Sequence, residues 1–147
     1  MAADVRSNDR RAVAQAITLI ESTRPDHRAN AEQLLASLLG DTGKTIRLGI
    51  SGPPGVGKST YIETLGLYLI GIGHKVAILT IDPTSARSGG SILGDRVRMQ
   101  SHHGDPGVFV RSMATRGVLG GLAPTTADVI TVFEAAGHDV VLIETVG

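Results

Sequence analysis

The sequence contains no cysteine, which excludes disulfide bridges and thiolate metal sites and agrees with a reducing compartment. Aromatic side chains make up only 3% of it, too few for the stacking platforms that hold single-stranded nucleic acid. Neither sign of charge is in excess: 14 basic and 14 acidic residues cancel, so no global field draws the chain to nucleic acid or to an anionic membrane. No apolar run approaches the length of a membrane span, and the first residues lack the basic-then-apolar layout of a signal peptide. The expectation is a cytoplasmic protein with neither nucleic acid nor membrane among its partners. What is present is a chain of 147 residues, 41% hydrophobic, long enough for one globular domain with a real core.

One stretch dominates the rest. Gly52-Pro53-Pro54-Gly55-Val56-Gly57-Lys58-Ser59 matches every fixed position of the phosphate-binding pattern G-x-x-x-x-G-K-[ST]. Thr45 to Ser51 before it reads as a buried strand, and Lys58 to about Ile70 after it as a helix without proline. Glycines in such a loop let successive N–H groups turn inward around an anion at the positive end of a helix. Pro53 and Pro54 carry no N–H, so the donors fall to Gly55, Val56, Gly57, Lys58 and Ser59. The Lys58 ammonium reaches the β- and γ-phosphates, and the Ser59 hydroxyl is the expected ligand to Mg²⁺. The bland reading, a glycine-rich turn joining strand to helix, does not require the lysine and serine.

Ahead of the loop, about Asp9 to Leu39 reads as two amphipathic helices interrupted at Pro25. Val13, Ile17 and Ile20 line the first, with Ser7, Asn8 or Asp9 as its cap. Ala31, Leu34, Leu35, Leu38 and Leu39 line the second, with Asp26 capping its start and Gly40 ending it. This hairpin carries no catalytic constellation and reads as packing, or as a partner surface. The turn-rich Gly40-Asp41-Thr42-Gly43-Lys44 is the expected boundary, dividing an N-terminal helical arm, 1–43, from a nucleotide-binding domain, 44–147.

Beyond the loop, Ile62, Leu65, Leu69 and Ile70 give the first long helix its buried side, and Gly71-Ile72-Gly73 stops it. Val76 to Ile81 is a continuous apolar strand, and the strand–helix–strand alternation predicts a right-handed crossover to a parallel neighbour, with ligand at the carboxyl ends. Asp82 follows directly, as a turn residue or as a carboxylate that orients water on Mg²⁺. Ser85 to Gly107 is rich in Gly, Ser and Arg, with a candidate hinge at Gly89-Gly90 and a short helical piece from Arg96 to Ser101. Arginines outnumber acids in this region, but none is singled out as a finger, and His102-His103 reads as a solvated pair. Val108 to Arg111 is a third strand, Arg116 to Leu122 a loop, and Pro124-Thr125-Thr126 opens a helix with Val129, Ile130, Phe133 and Ala136 on its apolar face, stopped by Gly137. Val140 to Ile143, a last buried strand, delivers Glu144-Thr145-Val146-Gly147. An acid at a strand end with glycine three residues on is the arrangement that senses Mg²⁺ and the γ-phosphate in many nucleotide hydrolases; the plain alternative is a strand-ending acid.

Taken together, Gly52 to Thr60, Asp82-Pro83-Thr84-Ser85, Ser88-Gly89-Gly90-Ser91-Ile92-Leu93-Gly94-Asp95-Arg96 and Glu144 to Gly147 resemble one family, the MeaB/ArgK-type P-loop GTPases. The resemblance runs from about Asp9 to Gly147 and includes Arg11 to Glu21 in the arm and Gly120-Gly121 in the later loop. It implies an α/β, SIMIBI-like P-loop fold with a mostly parallel sheet flanked by helices, preceded by a helical hairpin and lacking the C-terminal part of the family's fold. The implied activity is Mg²⁺-dependent binding and hydrolysis of GTP to GDP by a homodimeric chaperone. That chaperone gates cofactor delivery to, and protects, an adenosylcobalamin-dependent methylmalonyl-CoA mutase or related acyl-CoA mutase. By the same resemblance the nucleotide is bound by Gly52, Pro53, Pro54, Gly55, Val56, Gly57, Lys58, Ser59 and Thr60 with Gly147, and catalysis falls to Lys58, Asp82, Asp95 and Glu144. Ser59, Asp82, Asp95 and Glu144 surround the metal.

Three features depart from the family pattern. The sequence ends before any [NT]-K-x-D segment for guanine and before the dimerisation arm; Arg96 stands where lysine is common; and Arg111 to Arg116 lacks the proline- and serine-rich wording. Two other readings share the phosphate site: an ATPase or small-molecule kinase, the arginine-transport tradition of the family, and a nucleotide-binding module without turnover.

Overall fold

The computed structural model describes residues 1–53, 55–82, 108–114 and 125–145. The described chain falls into two compact units, one formed by Met1–Thr45 with Thr125–Asp139, the other containing the strands and the helix that follows the glycine loop.

In the first unit, α1 (Ala2–Arg6) is a short helix that the periodicity did not reveal; it buries Val5. α2 (Arg10–Glu21) begins where Asp9 accepts a hydrogen bond from the Ala12 N–H at 2.9 Å, so of three candidate caps Asp9 is the one used. Ala12, Val13, Ala16, Ile17 and Ile20 form its buried stripe. α3 (Pro25–Leu38) corrects two expectations. Pro25 occupies the first turn, where its missing N–H costs nothing, rather than lying between helices. Asp26 does not cap the helix: Arg24 is the cap residue, and the Asp26 carboxylate pairs with the Arg24 guanidinium at 3.0 Å instead. Leu39 is exposed, contrary to its place on the expected apolar face, because the chain tightens there into a 3₁₀ turn (Leu39–Asp41) that rotates it away from Leu34 and Leu38. Gly40 lies inside that turn.

α5 (Thr126–Ala135) belongs to this same unit and packs against α2 and α3. It is buried nearly all round, and Gly137 follows it at φ 90°, as its stop requires. Phe133 and His138 are both buried, with rings edge to face at 5.6 Å, and His138 Nδ1 donates to the Phe133 carbonyl. The buried Glu134 carboxylate accepts the Gly43 N–H at 3.0 Å, and the Thr45 hydroxyl donates to the His138 carbonyl at 2.9 Å, tying residues 43–45 to the end of α5.

The second unit is a parallel sheet of β1 (Ile46–Ile50), β2 (Val76–Asp82), β3 (Val108–Ala114) and β4 (Val140–Glu144), with α4 (Lys58–Gly71) against it. The strand order is β1-β4-β2-β3. The crossover through α4 is therefore to a parallel strand but not to a neighbour, because β4 is inserted between β1 and β2. β3 runs on to Ala114, so the stretch from Arg111 that departs from the family wording is strand at its start. Ile62 of α4 packs with Val76 and Ile78 of β2, Val108 of β3, and Val140 and Leu142 of β4, while Leu65, Leu69 and Ile70 complete the layer.

β1 is not the buried strand its composition suggests: Ile46 is 64% and Leu48 39% exposed. α4 lies against β2 and β4, so only Ile50, at the loop end of β1, reaches the apolar layer under the helix. Among the described residues no helix is long and apolar enough to cross a membrane.

Candidate nucleotide site

All four strands run parallel, so their carboxyl ends share one edge of the sheet. Ile50 ends β1 in register with Glu144 at the end of β4, and Asp82 ends β2. The glycine loop leaves from this edge. Gly57 sits at φ 97°, a conformation an L side chain resists, and from there the chain enters α4 directly. Gly52 is also constrained: a Cβ there would meet the Val56 side chain at 3.3 Å. The first helical bond runs from the Tyr61 N–H to the Gly57 carbonyl at 3.0 Å, and no side chain caps the helix. The N–H groups of the first turn therefore point towards the loop, with the positive end of the helix dipole behind them.

Lys58 and Ser59, the first residues of α4, turn back over the sheet edge. The Lys58 ammonium donates to the Gly52 carbonyl at 2.6 Å and to the Thr145 carbonyl at 3.1 Å. The Ser59 hydroxyl donates to Glu144 Oε1 at 3.0 Å and lies 3.3 Å from Oε2. Both side chains are partly buried, so these charge-assisted bonds are less screened than surface pairs. The arrangement sets a cation, a hydroxyl and a carboxylate around the mouth of a helix N-terminus. Its chemistry is that of an anion site with hard oxygen donors at its side.

Of the residues singled out from the sequence, the structure brings together Gly52, Lys58, Ser59 and Glu144. Gly55, Val56 and Gly57 form the described part of the loop between, Pro53 is exposed at its start, and Thr60 is exposed on the first turn of α4. Asp82 takes its place at the same sheet edge by its main chain. Pro54, Asp95 and Gly147 lie outside the described residues, as do Gly89-Gly90 and His102-His103. Among the described residues no three of His, Cys, Asp and Glu gather as a metal cluster.

Thr145 is the residue that the sequence reading passed over. Its N–H donates to the Ile50 carbonyl at 3.1 Å, its hydroxyl to the same oxygen at 3.3 Å, and its own carbonyl accepts from Lys58. Most of that work is done by main-chain atoms, which leave no residue-type signature; position directly after the strand-ending acid was the available signal.

A parallel α/β sheet with a glycine loop running into a helix, lysine and serine opening that helix, and a carboxylate at the next strand's end together define a P-loop nucleotide-binding fold. The chain belongs to the MeaB family: the family model described as "Methylmalonyl Co-A mutase-associated GTPase MeaB" matches residues 13–147. A probable GTPase of Mycobacterium tuberculosis is 55% identical over 147 residues, covering 100% of this chain and 44% of that protein. GTPase ArgK of Escherichia coli is 45% identical over 143 residues, covering 97% and 43%. A methylmalonic aciduria type A homolog, mitochondrial, of Caenorhabditis briggsae is 46% identical over 155 residues, covering 98% and 38%. The chain thus spans less than half the length of these relatives. Among solved structures, a LAO/AO transport system kinase superposes with a TM-score of 0.74 at 34% identity, covering 99% of this chain and 42% of that one. FtsY from Mycoplasma mycoides, at 17% identity and a TM-score of 0.50, covers 99% of this chain and 52% of its own and shares the fold.

Proposed function

We propose that this chain carries the phosphate-binding half of a Mg²⁺-dependent GTPase that acts as a chaperone of an adenosylcobalamin-dependent acyl-CoA mutase, methylmalonyl-CoA mutase or a relative of it. The observation that carries the nucleotide part is the convergence of Lys58 and the Ser59–Glu144 pair on an uncapped helix N-terminus. The mutase part is supported by the association with methylmalonyl-CoA mutase that the family's description states and by the name of the nematode relative. Residues 1–43 act as the arm and 44–147 as the nucleotide-binding part, with α5 of the latter packed on the arm, in a cytoplasmic homodimer.

In this reading GTP and GDP bind through Gly52 to Thr60, with Gly147. The N–H groups of Gly55 to Ser59 donate to phosphate oxygens, and Lys58 holds the β- and γ-phosphates. Ser59 and Glu144 present a hydroxyl and a carboxylate, the hard oxygen donors that Mg²⁺ selects, and with Asp82 and Asp95 they would hold the ion. When bound, Mg²⁺ neutralises charge on the phosphates. Water attacks the γ-phosphorus in line as its bond to the β–γ bridging oxygen breaks; GDP leaves, and the water's protons go with the inorganic phosphate. Lys58 with the loop amides stabilises the charge that spreads over the transferring group.

A second reading, an ATPase or small-molecule kinase, is favoured by the name of the 34% identical kinase structure. Calorimetric titration with Mg–GDP and Mg–ADP separates the two, performed on this chain and on a chain extended to the relatives' length. GDP is expected to bind more tightly in the extended chain; tighter ADP overturns the guanine reading. Lys58→Ala is expected to weaken either nucleotide by about tenfold or more, the loss of a charged hydrogen-bond donor. Unchanged binding would remove the loop from the account. Co-elution of the extended chain with an acyl-CoA mutase in the presence of a non-hydrolysable GTP analogue tests the chaperone role, and consistent failure to associate counts against it.

A further inference from the structure

We propose that Thr145 is a positioning residue for the Lys58 ammonium. The inference rests on the reading of the glycine loop as a phosphate site. Thr145 places two donors, its N–H and its hydroxyl, on the single carbonyl oxygen of Ile50, at 3.1 and 3.3 Å. Ile50 is the last residue of β1, so this doubled bond closes the end of β4 onto the end of β1 just before the loop departs. Two donors from one residue on one acceptor restrain its backbone and side chain together, and the β-branch of threonine limits the side chain to few rotamers. The Thr145 carbonyl is thereby aimed at Lys58 Nζ, which it meets at 3.1 Å while Gly52 takes a second proton at 2.6 Å.

The consequence concerns the lysine's freedom. A free ammonium on a four-carbon stem samples many rotamers, and each must be given up when an anion is bound. Two carbonyls, that of Gly52 at the start of the loop and that of Thr145 after β4, hold Nζ over the sheet edge among the described residues. The stem is ordered before a phosphate arrives, so part of the ordering cost of binding is already met. Thr145 contributes by fixing where one of those carbonyls stands, and it does so without touching the nucleotide.

Two variants separate this role from a merely structural one. Thr145→Val keeps the shape and removes the hydroxyl; Thr145→Ser keeps the hydroxyl. In the nucleotide-free chain, a ¹H–¹⁵N spectrum of lysine ammonium groups, with the Lys58 signal assigned by its loss in Lys58→Arg, is expected to show a slowly exchanging signal. Thr145→Ser retains that signal and Thr145→Val broadens or shifts it. Binding of a fluorescent GDP with Mg²⁺ is expected to weaken about fivefold in Thr145→Val and by less than about twofold in Thr145→Ser, the scale of one neutral hydrogen bond. An unchanged ammonium signal in Thr145→Val, or equal loss of binding in both variants, overturns the proposal. A wild-type chain that binds no nucleotide while its Lys58 signal still responds to Thr145→Val supports the positioning role and sinks the functional reading instead.

Discussion

Ser59 and Glu144 show how little separates a fold contact from a metal site at the scale of single residues. Their hydrogen bond at 3.0 Å joins the first turn of α4 to the end of β4 and leaves two oxygen donors side by side. Ser59→Ala deletes one donor and no apolar packing. If the hydroxyl serves the ion as proposed, this change is expected to weaken Mg–nucleotide binding about tenfold or more while changing binding in EDTA far less. Parallel titrations with and without chelator check this, and equal losses in both would assign Ser59 to the fold alone. The placement of Lys58 and Ser59 at the start of α4 was legible in the sequence because both stand at a fixed spacing from the glycines. Thr145 was not, because its part rests on its donors reaching the Ile50 carbonyl and on its own carbonyl accepting from Lys58.

At the scale of elements, helix boundaries follow short-range chemistry only where the side chain is free to reach the backbone. Asp9 does so and Asp26 does not, since Asp26 follows Pro25 inside the helix and pairs with Arg24. Asp9→Ala is expected to cost about 1 kcal/mol, read as a lower urea midpoint. A midpoint that does not move would mean that the cap is replaced by water without loss. The strands make the opposite point, that similar composition does not mean similar burial. Leu48 of β1 and Leu142 of β4 are register partners, yet Leu48 is 39% exposed and Leu142 is fully buried under α4. Leu142→Ala is expected to cost about 2–5 kcal/mol, a transfer term plus a cavity. Leu48→Ala is expected to stay under about 1 kcal/mol, as for other surface changes. Denaturant unfolding of both variants checks the contrast, and equal costs would show that β1 is covered in solution.

For the whole molecule, the strand order β1-β4-β2-β3 puts the last strand of the sequence into the middle of the sheet. β4 hydrogen-bonds to β1 and β2, and β2 to β4 and β3, so their amides are paired on both sides, whereas β1 and β3 are the outer strands among the described residues. Hydrogen exchange is expected to be slowest in β2 and β4 and faster in β1, because outer strands open without breaking the centre. Exchange in β1 as slow as in β4 would contradict that order of stability. The same insertion brings Glu144 beside a serine 85 residues earlier, which is how the carboxylate comes to the loop at all.

The sequence alone determined the features that depend on a few neighbouring residues: the glycine loop running into α4 at Lys58 and Ser59, the helical period of α2, the stop at Gly137, and the strand character of β2 and β4. These arise from dihedral preferences and hydrogen bonds that close within one or two turns. Only the tertiary structure decided that β4 lies between β1 and β2, that β1 is left exposed, that α5 joins the N-terminal helices, and that Thr145 faces Lys58. Those outcomes depend on which distant surfaces exclude water together, a choice made by the chain as a whole and not written in any local spacing.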